Sequence, residues 1–188
     1  MKRTKIYALV AFAAALFAVA CNNDDKIDDE LNPNEAKRVA FVKEFAEVRL
    51  SRDLREAAEV AVTCIGLDHQ SLDLSSATIS DRAKVDTELS IEEITYPCAL
   101  TITITITPKA DFTPELNRIY NFRYWTKGEV WLADKDGKVL AIGDDTEEGG
   151  FSVTAKEDTP WNTLLNISPI VTSVRIVERA DGSLEIED

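Results

Sequence analysis

Leu100–Thr107 reads LTITITIT, apolar and hydroxyl side chains in strict alternation. Successive residues of a β-strand point to opposite faces, so Leu100, Ile102, Ile104 and Ile106 face one way and the four threonines the other. Such a stretch is a half-buried strand of an antiparallel sheet, ended by Pro108. Cys98 shares the parity of the apolar set if pairing runs back past Pro97.

Downstream the same period recurs. In NRIYNFRYW (117–125), Tyr120, Phe122 and Tyr124 alternate with Ile119, Asn121, Arg123 and Trp125. EVWLADKDGKVLAIG (129–143) reads as two strands joined at Asp134–Gly137, and GGFSVTA (149–155) as a further short strand. Thr159, Pro160 and Trp161 resemble an N-cap followed by Pro at the first helical position, predicting a brief helical turn through Leu165. VTSVRIVERADGSLEIE (171–187) reads as a hairpin around Ala180-Asp181-Gly182.

Upstream the period changes. Val39, Val42, Phe45 and Val48 recur every three residues, while Lys37, Arg38, Lys43, Glu44 and Glu47 take other positions. That spacing predicts an amphipathic helix. Ser51 with Asp53 could cap a second helix carrying Leu54, Ala58, Ala61 and Ile65, although EVAVTCIGL (59–67) is β-branched enough to be a strand. Gly66 ends it either way, and Leu67–Glu92 is polar with weak periodicity. The expected class is therefore α+β: one or two N-terminal helices followed by an antiparallel β-meander or sandwich. No internal repeat stands out in the ~20–50-residue range.

The first residues have a different character. Lys2, Arg3 and Lys5 precede an unbroken apolar run from Ile6 to Ala20, the length of a signal-peptide core and short for a membrane span. Ala18-Val19-Ala20 fits a plain cleavage site. Ala20 and Cys21 also resemble the lipobox of bacterial lipoprotein precursors, with Ala18 in the place where Leu is usual. That resemblance implies a Cys21 that is diacylated on sulfur and becomes the mature N-terminus in the outer membrane. NNDDKIDDELNPN (22–34) has only Ile27 and Leu31 to bury, so it reads as a tether. Asp24 and Asp25, preceded by Asn22 and Asn23, resemble the acidic export signal of surface-exposed lipoproteins in some Gram-negative bacteria. The expected organisation is a signal at 1–20, a lipidated cysteine and tether at 21–34, and a single domain at 35–188.

The chain has 188 residues and a net charge of −13; removing the signal, which holds three cations and no acids, leaves −16. Such a chain repels phosphate backbones and anionic headgroups, which argues against nucleic-acid binding and against membrane attachment through a basic face. Three cysteines are an awkward number for an exported protein. With Cys21 lipidated, Cys64 and Cys98 remain either to form a disulfide or to stay as buried thiols. A bridge would close a loop of about 35 residues, worth roughly 3.5–4 kcal/mol.

Chemistry is sparse. The single histidine, His69, lies between Asp68 and Ser71, but triads are assembled from distant segments, so a polar loop is the better reading. One histidine and no close cysteine pair make a zinc site improbable. Asp134-Lys135-Asp136-Gly137 resembles the opening of an EF-hand loop, yet a hairpin turn accounts for it. Asp144, Asp145, Glu147 and Glu148 read as a solvated loop that offers calcium a weak site. Tyr124, Trp125 and Trp131 are the candidate ligand-contact aromatics. Alternation sends Tyr124 and Trp125 to opposite faces, so some ring reaches solvent beside Asn121 and Arg123. The expected function is a lipid-anchored, non-catalytic binding or structural protein of the cell envelope, recognising a glycan or a protein partner. The alternative is a polysaccharide hydrolase whose carboxylates cannot be singled out from sequence.

Overall fold

A computed structural model describes residues 38–187. The signal segment, Cys21 and the tether lie outside the described residues. The element order is β1 (Phe41–Leu50), α1 (Arg52–Ala57), β2 (Ala58–Ile65), β3 (Arg82–Ser90), β4 (Cys98–Pro108), β5 (Ile119–Ala133), β6 (Val139–Thr154), α2 (Trp161–Leu164), β7 (Ile170–Glu178) and β8 (Leu184–Glu187). All pairings are antiparallel and form two four-stranded sheets, β3-β1-β5-β6 and β2-β4-β7-β8.

The LTITITIT stretch behaves as its alternation demands. Leu100, Ile102 and Ile104 are fully buried and Ile106 nearly so, and the threonines take the opposite, more exposed face of β4. Cys98 belongs to the buried set. The inner face of β5 meets β4 and β7 of the other sheet. At Gly128 an added Cβ would find Leu100, Val174 and Thr172 at 3.6–3.7 Å. The buried hydroxyls of Thr126 and Thr172 also hydrogen-bond each other across the sandwich. Tyr120 and Phe122 point into the same core, where Trp161 of α2 packs edge-on against both at 5.4 and 6.1 Å.

The expected N-terminal helix is corrected: Phe41–Leu50 is strand β1, between β3 and β5. Its inner face is Val42, Glu44, Ala46, Val48 and Leu50, all buried. Glu44 breaks the apolar alternation, and Phe45 on the outer face supplies the three-residue spacing that imitates a helix. Ser51 does cap a helix, accepting from the Leu54 amide at 3.3 Å, but α1 spans only six residues before the β-branched run continues as β2. The fold is thus predominantly antiparallel β, with short helices.

Of the two alternatives left open for Cys64 and Cys98, the disulfide is not formed: both are buried free thiols. Cys64 stands opposite Ile102 on β4, and Cys98 lies four residues further along that strand. Four residues of strand span about 13 Å, well beyond the Cα separation of ~7 Å that a disulfide bridges. Burial, aided by the nearby Glu44 charge, pushes the Cys64 thiol up to about 12 and Cys98 up to about 11.

Candidate functional site

The outer face of the first sheet carries the odd-numbered side chains of β5, which include both Trp125 and Trp131. They are six residues apart, about 20 Å along the strand. Register places Trp125 between Arg49 of β1 and Glu148 of β6, and Trp131 between Lys43 and Ile142.

The Trp125 end opens into a cavity of about 980 Å³. Three separate segments build it. The end of β1 and the start of α1 contribute Arg49, Leu50, Ser51, Arg52 and Arg55; the turn before β3 contributes Ser80 and Asp81; and β5 with β6 contributes Arg123, Tyr124, Trp125, Glu148 and Gly149. Ser51 joins the first segment to the third. Its amide donates to the Arg123 carbonyl at 2.9 Å, and its hydroxyl accepts from the Arg123 amide at 3.0 Å. That clasp fixes the backbone from which the Arg123 side chain projects.

On β6 the cavity is lined by Glu148 and Gly149. Gly149 pairs with Tyr124 and Gly150 with Arg123. A Cβ on Gly149 would collide with the Tyr124 hydroxyl, so the absent side chain is what makes room for the ring. On the other side, Arg49 is held at 2.6 Å by Glu47, which also binds Arg82 at 2.5 Å. Burial alone would raise the Glu47 carboxyl, but hydrogen bonds and charge from these two guanidiniums bring it below its ordinary value. Thus anchored, Arg49 lies over the Trp125 ring, 4.6 Å from its centroid, in a cation–π stack.

Four arginines therefore line one concavity, against two acids, Asp81 and Glu148. Arg49 and Arg52 are ion-paired, the latter to Glu56 at 2.6 Å. Arg55 donates from one terminal nitrogen to the Ile79 carbonyl at 2.7 Å, while its buried Nε has no partner. The exposed Arg123 guanidinium has no ion-pair partner among the described residues. Arg55 and Arg123 are thus the arginines of the cavity without an ion-pair partner among the described residues, beside Asp81 and Glu148.

No protein family, curated protein or solved structure matches the chain. Function has to be read from the molecule itself.

Of the aromatics singled out in the sequence, Tyr124 and Trp125 both line this cavity, from opposite faces of β5, and Trp131 does not. Trp131 is 36 % exposed and lines a smaller depression of about 430 Å³ with Phe45, Lys43, Lys127, Glu129 and Asp86. The acidic run is not the expected loop: Asp144, Asp145, Glu147 and Glu148 lie within β6, so neighbours project from alternate faces. Asp145 accepts from the Ser173 amide of β7 at 3.0 Å. Among the described residues no group of three or more His, Cys, Asp or Glu could hold a metal ion. His69 is exposed in a turn at φ 64°, and the Asp68 carboxylate accepts from the Gln70 amide at 2.9 Å.

The arginines other than Arg123 escape sequence reading. Arg49 lay within a supposed helix, and nothing in the spacing of Arg49, Arg52, Arg55 and Arg123 signals that they meet. Only the β1–β5 register, Arg49 opposite Trp125, brings them together.

Proposed function

We propose that the protein is a lipid-anchored, non-catalytic binding module of the cell envelope that takes a glycan in the Trp125 cavity. The observation that carries this reading is the joint presence of Trp125 and four arginines in one 980 Å³ depression. Aromatic rings offer flat apolar surface to a sugar, and arginine N–H groups donate to its oxygens. The anchor rests on the lipobox-like Ala20–Cys21 and on the polar segment after it, which would hold the domain away from the bilayer.

A glycan array probed with the full chain in detergent tests the reading. The wild type is expected to retain one class of glycan, and Trp125→Ala to weaken that binding about tenfold or more, the 1.4 kcal/mol scale of a lost ring contact. Retention of no glycan overturns the proposal; undiminished binding by Trp125→Ala removes the ring from it.

One observation favours a hydrolase instead: Asp81 and Glu148 line the same cavity, and glycoside hydrolysis uses a pair of carboxyl groups. Bound glycan is expected to be recovered intact. Fragments that disappear with Asp81→Asn or Glu148→Gln would replace the binding reading with a catalytic one.

A further inference from the structure

We infer that the cavity selects an acidic sugar, and that Arg123 receives its carboxylate. The inference rests on the glycan-binding reading and adds the charge of the ligand.

Arginines in an acidic chain normally find carboxylates. Arg49, Arg52 and Arg118 do so, at 2.6, 2.6 and 2.8 Å from Glu47, Glu56 and Asp53. Arg123 is different. Its backbone is held on both sides by Ser51, its neighbour across the sheet is Gly150, and its guanidinium is left without an ion partner among the described residues. The fork is thus fixed at its root and open at its tip. A guanidinium matches a carboxylate with two parallel hydrogen bonds, which gives orientation as well as affinity. Arg49 cannot serve the same purpose, since Glu47 holds it against Trp125.

The rest of the molecule limits what kind of anion fits. A net charge of −13 repels long polyanions, while a small ligand that enters the concavity meets the unpaired Arg123 directly. The aromatic wall calls for a ring beside the charge. A short oligosaccharide bearing a uronic or related sugar acid meets both conditions, with the sugar against Trp125 and the carboxylate at Arg123, both on the outer face of β5.

The test titrates the full chain in detergent with short oligosaccharides containing glucuronate, galacturonate, mannuronate or sialate. Each is measured beside its carboxyl-reduced neutral counterpart, with sodium sulfate and phosphate as competitors. At least one acidic sugar is expected to bind about tenfold or more tightly than its neutral counterpart, more weakly as salt rises, and to lose that advantage with Arg123→Gln. Arg123 is exposed and makes no ion pair among the described residues, so a thermal melt should show the variant folded. Equal binding of acidic and neutral sugars overturns this inference and leaves the glycan-binding reading standing. Binding of no sugar, acidic or neutral, overturns both. Full displacement by sulfate or phosphate at equal concentration, or an acid preference unchanged by Arg123→Gln, overturns the assignment of a sugar carboxylate to Arg123.

Discussion

Glu44 is the residue on which local chemistry bears most heavily. It is 1 % exposed on the inner face of β1, and one carboxyl oxygen accepts from the Leu67 amide at 2.8 Å while the other has no partner. Burial raises its carboxyl above the ordinary 4.5; the Leu67 hydrogen bond opposes the rise and Asp68 adds to it. Gly66 exists to admit it, since a Cβ there would stand 2.8 Å from the unpartnered oxygen. An acid with a raised folded value holds its proton more tightly when folded. Its stabilising contribution is complete below pH 4.5 and is lost as pH climbs through the folded value. Glu44→Gln keeps an oxygen for Leu67 and removes the titration. Chemical denaturation at a series of pH values should show the variant gaining on the wild type above pH 4.5 and exceeding it by about 1 kcal/mol near neutrality. Parallel stability curves would contradict that account.

At the scale of elements, β5 and β6 form a hairpin of fifteen- and sixteen-residue strands, and its glycines divide by what surrounds them. Gly137 sits in the turn at φ 76° with open space around it, whereas Gly150 sits at φ 135° with the Phe122 carbonyl where a Cβ would go. Urea unfolding should show Gly137→Ala costing about 1 kcal/mol, the left-handed backbone penalty alone. Gly150→Ala should cost about 3 kcal/mol or more, because the clash is with backbone that cannot turn aside. Equal costs would mean that β6 shifts freely against β5, and the cavity wall with it. The same hairpin shows what sequence can disclose. LTITITIT and the 134–137 turn were legible because each needs only neighbouring residues to specify its geometry. Strand β1 was not, because a buried Glu44 breaks its period and its partner, the Leu67 amide, lies 23 residues away. The candidate site was half legible: Tyr124, Trp125 and Arg123 could be named from their strand, but Arg49, Arg52 and Arg55 join them only through sheet register and the Ser51 clasp.

For the whole molecule, the acidic charge and the proposed lipid anchor would set the terms of any encounter. An acidic chain held at a membrane by one lipidated cysteine would meet its ligand through its one strongly arginine-lined depression among those described. Labelled palmitate should therefore mark the wild-type chain and not Cys21→Ser; labelling of neither would indicate cleavage after Ala20 without lipidation. The most direct test of the central claim uses the tryptophans, of which the chain has three. Trp125 lies in the cavity, Trp131 about 20 Å along the same strand, and Trp161 against the core aromatics. Indole N–H resonances followed during titration with a bound short oligosaccharide should show Trp125 shifting, with Trp131 and Trp161 unmoved. A shift confined to Trp131, or no indole shift under saturating ligand, would contradict the placement of the binding site at the Trp125 cavity.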